Sequence, residues 1–213
     1  LKRKNTIKGW VAVSAAAAFF VAIRFGAAEA VLSLSQGREV SSDSRFYVYL
    51  SDHPFAVLTG ENLKGPDYDA AVLTNYGPLM GPLIGPPIKL LRRYMPDFFA
   101  VRAFLVAWET LGLGAAYLAL SRGNGSPYGS AVGPLSAARR REFLILAAVL
   151  PLGWMSTAVW AQDEILLAPF IFFAFVAAVR DRPAAAAWAL SLGALCAKYF
   201  ALAFVPAAWL VCR

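Results

Sequence analysis

Residues 76–91, Tyr-Gly-Pro-Leu-Met-Gly-Pro-Leu-Ile-Gly-Pro-Pro-Ile-Lys-Leu-Leu, decide the fold, because whether this apolar stretch crosses a bilayer sets the side on which every later loop falls. It is shorter than the roughly 20 residues a spanning helix needs. Pro78, Pro82, Pro86 and Pro87 each lack the N–H a helix would use, and hydrocarbon offers no replacement donor. The stretch is therefore expected not to span, and Leu83 to Tyr94 reads as an interfacial amphipathic piece with Lys89, Arg92 and Arg93 at the headgroups. The charges further along agree. Were residues 76–91 to span, 122–142 with Arg139, Arg140 and Arg141 would lie outside, against the preference of Lys and Arg for the cytoplasmic side. With 76–91 in the interface, residues 98–120 return the chain inward and the arginines become cytoplasmic.

Composition sets the wider frame. At 59% hydrophobic and 15% charged residues, with a mean hydropathy of +0.57, the chain belongs to the multi-spanning membrane class. The net charge of +7 sits mostly in short clusters beside apolar runs, where membrane topology accounts for it, so no nucleic-acid partner is expected. Cys196 and Cys212 both fall in the last apolar stretch and indicate neither a disulfide framework nor a metal site. The run after the basic amino terminus contains Arg24 and Glu29, is long and lacks a small-residue cleavage pattern, which argues for a span over a signal peptide. The expected fold is an all-α integral membrane bundle with spans at about 9–34, 98–120, 143–160, 165–179 and 184–210. An external loop, 35–97, bears short interfacial helices. That loop and the turn Gln162-Asp163-Glu164 share the non-cytoplasmic face. His53 is the only histidine, so a histidine triad or multi-histidine metal site is set aside, and no phosphate-binding or dinucleotide fingerprint is present.

Three places could carry chemistry. Asp43 follows the first span and is trailed by Arg45, Tyr47 and Tyr49, a setting suited to a general base and equally to a solvated loop acid. Asp163 and Glu164 are adjacent carboxylates between two apolar segments; they need a cation, a metal or hydrogen bonds, or simply mark the membrane boundary. Lys198 lies inside the last apolar segment beside Tyr199, where an ammonium is costly unless paired, hydrated or snorkelling. Arg102 and Glu109 share one helical face, and Arg24 and Glu29 lie in the outer half of the first span; pairing among these is expected to be structural.

In their order and common side, these residues resemble the GT-C superfamily of membrane glycosyltransferases, which take sugars from polyprenyl-phosphate donors, and in particular its mannosyltransferases. The matching pattern is Asp43, Tyr47, Gly60, Pro66-Asp67-Tyr68 and Tyr76-Gly77-Pro78-Leu79, then Gln162-Asp163-Glu164, Arg180-Asp181-Arg182 and Lys198 with Pro206. It covers most of the chain through motifs that are each weak alone. The chain departs from it at Ala161, where members more often have Gly, and at Gly77, where they have Pro or Thr. The resemblance implies transfer with inversion, most simply of mannose, from a polyprenyl- or dolichyl-phosphate sugar to a lipid, glycan or protein acceptor. Asp43 would be the base, Lys198 and then Arg45 would meet the leaving phosphate, and Tyr47, Tyr68, Tyr76, Gln162, Asp163, Glu164 and Tyr199 would line the substrate site. A divalent ion, Mg or Mn, is implied for some members, with Asp163 and Glu164 its ligands here. The active face would be periplasmic, extracellular or lumenal in the endoplasmic reticulum. Members have more spans, so the chain is expected to be the amino-terminal part of a longer enzyme. Two other readings stay open: an ion-coupled carrier in which Lys198, Glu109 and Arg102 form a relay, and a non-catalytic subunit bound to a partner.

Overall fold

The computed structural model describes residues 2–35, 42–59, 76–121, 155–159, 161–162 and 164–211, with a few single positions between 136 and 146. Among them the chain is helical, with no named strand and one isolated β-bridge, Tyr76 to Lys198. Helix α1 (Lys2–Leu34) is followed by α2 (Ser42–Asp52), a single turn α3 (Ala56–Thr59), α4 (Met80–Leu91) and α5 (Asp97–Ser121). A π-helical turn, Met155–Val159, precedes α6 (Glu164–Val179), α7 (Pro183–Cys196), a 3₁₀ stretch Tyr199–Phe204 and α8 (Val205–Val211).

Among the described residues, two helices are long and apolar enough to cross a membrane by length and composition: Ser14–Leu34 within α1 and Asp97–Leu118 within α5. At about 1.5 Å per residue both reach roughly the 30 Å of a hydrocarbon core. The apolar helices Glu164–Val179 and Pro183–Cys196 are shorter. Most of the expected span 143–160 lies outside the described residues; its end is the π turn.

The prolines of residues 76–91 do not prevent a helix. α4 opens at Met80, three residues before the expected start, and keeps Pro86 and Pro87 inside it. Pro82 costs little because it falls in the first turn, where N–H groups have no intrahelical acceptor. The glycines that look like helix breakers are packing devices. Gly81 faces the Pro54 carbonyl and Gly85 the Leu50 carbonyl, so α4 lies backbone to backbone on α2, and a methyl group at Gly81 would strike Pro54 O. The buried face, Met80, Ile84 and Ile88, then joins Phe46, Leu50, Val101, Leu105 and Leu166 in the main core. Of the basic residues expected at headgroups, Arg92 and Lys89 instead reach carboxylates at the joint. Arg92 donates to Asp52 Oδ2 at 2.8 Å, to Ser51 Oγ at 2.6 Å and to Asp97 Oδ1 at 2.9 Å.

The turn between α6 and α7 is also legible. Asp181 has φ 53°, and the bonds Asp181 N–H to Ala178 O and Arg182 N–H to Ala177 O close the helix with the paired reverse bonds that a left-handed residue permits. Pro183 then takes the first position of α7, where its missing N–H is harmless. Gly193 brings α7 against Phe170 and Leu167 of α6.

Among the described residues, Arg24, Arg102 and Glu109 are buried charges. Arg24 on α1 binds Glu109 on α5 through one guanidinium edge, Nε to Oε2 at 2.7 Å and Nη2 to Oε1 at 2.6 Å. Glu109 thus pairs across helices, while Arg102, on its own helix, turns to other acceptors. Glu29 is exposed.

Candidate substrate site at the broken helix

Lys198 is the one charged residue in the apolar run 184–210, and there the helix breaks. α7 ends at Cys196, Ala197 leaves helical geometry, and Lys198 is extended at φ −134°, ψ 141° before the chain tightens into the 3₁₀ stretch. A helix end inside apolar surroundings leaves carbonyls without donors. The segment 76–79 supplies them. Gly77 N–H donates to Ala197 O at 2.8 Å and Leu79 N–H to Leu195 O at 2.9 Å, and between them Pro78 has no N–H to place. Only glycine fits at 77, because a Cβ would collide with the carbonyl oxygens of Leu195 and Ala194.

This strip brings three of the expected site residues together. Lys198 Nζ donates to Glu164 Oε1 at 3.0 Å and lies 5.7 Å from the centre of the Tyr76 ring. The Lys198 side chain is 23% exposed and that of Glu164 60%, so the ion pair forms the rim of the break and can be approached. Tyr76 is buried and stacks on Phe46 at 4.7 Å and 28°. Phe46 has no polar atom and is easily passed over beside Tyr47, yet it is the residue that ties α2 to this strip. Its signal is the i, i+4 register with Leu50 on the core face of α2.

The other expected residues fall around this centre in different ways. Asp43 lies in the first turn of α2, one turn before Phe46, and its side chain is outside the described ones. Arg45 is exposed on the same helix and Tyr47 is buried in the core. Gln162 is half-buried; its N–H donates to Ser156 O at 2.8 Å, which fixes the turn before Glu164. Tyr199 is exposed. Tyr68 and Asp163, with Gly60 and Pro66-Asp67, lie outside the described residues. His53 stacks on Tyr49 at 4.7 Å.

Ala161, buried before Gln162, has φ 49°, the left-handed region where glycine is at home. The departure from the glycine of the resembling pattern therefore falls on a backbone that glycine would relax.

Among the described residues there is no group of three or more His, Cys, Asp or Glu side chains able to hold a metal ion. A divalent ion at Glu164 would compete with the Lys198 ammonium for Oε1. What the arrangement offers chemically is a cation at an accessible break in a helix, held by a displaceable carboxylate and backed by an aromatic wall. Compared with models of protein families, with curated proteins and with solved structures, the chain has no match.

Proposed function

We propose that the chain is the membrane-embedded part of a glycosyltransferase that moves a sugar, mannose by the resemblance, from a polyprenyl-phosphate donor to an acceptor on the non-cytoplasmic face, with inversion. In this reading the chain is multi-pass, the shorter helices α6 and α7 crossing together with the segments that extend them. One observation carries the reading. The helix is broken at Lys198, and its ammonium lies at the rim beside Glu164 and Tyr76. Interrupted backbone at membrane depth is tolerated where it is satisfied by protein and lines a polar cavity.

The Asp43 carboxylate takes the acceptor hydroxyl proton as that oxygen bonds to the anomeric carbon. The bond from this carbon to the phosphate oxygen breaks, and the phosphate leaves with the electron pair. Lys198 exchanges Glu164 for the leaving phosphate, whose charge it meets in a site where a preorganised donor contributes about 10²–10³ in rate. Tyr76 supplies a wall for the sugar.

The test is transfer of radiolabelled sugar from a panel of polyprenyl-phosphate sugars in membranes, comparing wild type with Asp43→Asn and Lys198→Met. Transfer by wild type that both variants lose supports the reading and names the sugar. Equal transfer in all three removes both residues from the chemistry, and no transfer by well-expressed wild type removes the reading. A carrier is the second reading, favoured by the same helix break together with the buried Arg24–Glu109 pair, since discontinuous helices form ion and substrate sites in transporters. It expects solute flux in proteoliposomes that Lys198→Met abolishes, without any sugar transfer.

A further inference from the structure

Arg102 joins the two polar segments that the proposed chemistry draws on. It lies in the second turn of α5 and is 1% exposed. Its guanidinium sits 3.5 Å over the Phe98 ring, and Nη1 donates to Phe98 O at 3.1 Å, which fixes the group to its own helix. It also reaches two other elements. Nη1 meets Ser44 Oγ at 3.4 Å, and Nη2 donates to Val159 O at 3.1 Å.

Ser44 follows Asp43 in the first turn of α2. Val159 closes the π turn whose chain continues through Ala161 and Gln162 to Glu164. A planar guanidinium can serve two acceptors on separate elements at once, whereas an ammonium is a single point on a flexible stem. Burying such a cation is costly, and the carbonyls and ring around it offset that cost only in this arrangement.

We propose that Arg102 is a positioning residue that holds the first turn of α2, with Asp43, against the turn carrying Gln162 and Glu164. Base and ion pair thereby keep a fixed separation. The consequence for turnover rests on the glycosyl-transfer reading; the tie between the two segments does not. Misplacement of reacting groups by about 1 Å is enough to lower a rate by roughly 10²-fold, so loss of the tie lowers kcat and leaves the donor KM near its original value.

The experiment is amide hydrogen exchange on the full chain in lipid nanodiscs, with sugar transfer measured in parallel, for wild type, Arg102→Gln, Arg102→Lys and Ser44→Ala. Both Arg102 variants are expected to exchange at least about threefold faster at 44–47 and at 155–162, and to leave Gly77 and Leu79 unchanged. Ser44→Ala is expected to loosen the first turn of α2 and serves as the deciding variant if the Arg102 variants do not fold. Wild-type exchange in Arg102→Lys would show that charge alone suffices and would overturn the proposal. So would faster exchange in only one of the two segments, or an unchanged α2 in Ser44→Ala. If wild type transfers no sugar from any donor, the functional reading fails while exchange still decides the role of Arg102.

Discussion

Gly77 sits where two backbones meet at van der Waals limit, and a single methyl group tests the whole strip. Gly77→Ala would drive a Cβ into the Leu195 and Ala194 carbonyls. The bonds to Ala197 O and Leu195 O would part, and with them the contact of Tyr76 with Lys198. Overpacking of this kind costs about 1–3 kcal/mol, and loss of two buried hydrogen bonds adds to it. The expected result is a protein that unfolds at clearly lower temperature in detergent and has no site. Ala161 is the opposite case. At φ 49° an alanine carries about 1 kcal/mol of strain, which Ala161→Gly relieves while loosening the unfolded chain by a similar amount. That variant is expected to be neutral to slightly stabilising, whereas Ala161→Val, β-branched and buried, is expected to lose more than ~1 kcal/mol; thermal unfolding of both checks it.

Between elements, the α2–α4 joint has both an apolar and an ionic part, and pH separates them. The hydrogen bond from Arg92, and its charge beside that of Lys89, hold the Asp52 carboxyl below its ordinary value against a smaller opposing effect of burial. A depressed folded value means that this pair contributes stability above the unfolded pKa, about 3.9, and loses it as pH falls through the lower folded value. Asp52 is 45% exposed, so the whole effect is screened to ~1 kcal/mol or less. Protection of α2 and α4 amides, relative to their intrinsic exchange rates, is therefore expected to fall below about pH 4 in wild type and to be lower but nearly pH-independent in that range in Asp52→Asn. The sequence marked this segment as a short non-spanning piece with basic residues at its end, where α4 does end, Arg92 being its C-cap. It hid the packing role of Gly81 and Gly85, because glycine reads as a breaker until the facing helix is known. The break at Lys198 was hidden for a related reason. The run from Leu190 to Leu210 carries Gly193 before the break and Pro206 after it but no breaker at Ala197, and the donors that stabilise the end come from Gly77 and Leu79, more than a hundred residues earlier.

For the molecule as a whole, the open matter is what fastens α1, whose described outer faces are largely exposed, to the rest. Phe20, Arg24 and Ala28 form its buried stripe, and Arg24–Glu109 is the polar contact on it. The sequence displayed Arg24, Glu29, Arg102 and Glu109 but not their pairing. Spacing on one helix brings Arg102 and Glu109 to the same face, and only the packing of α1 on α5 shows that Glu109 is taken by Arg24. A buried pair that loses one member leaves an uncompensated charge, at a cost of about 3–5 kcal/mol, whereas replacing both by apolar groups of similar volume is often neutral or stabilising. Glu109→Met and Arg24→Met are each expected to lower the unfolding midpoint sharply, and the two together to restore it, in a double-mutant cycle read by chemical unfolding in detergent. Under the glycosyl-transfer reading the pair is a fastening away from Lys198, so the restored double variant should also transfer sugar at close to the wild-type rate. Restored stability without restored function would mean that the charges themselves are used, which is what an ion-coupled carrier requires.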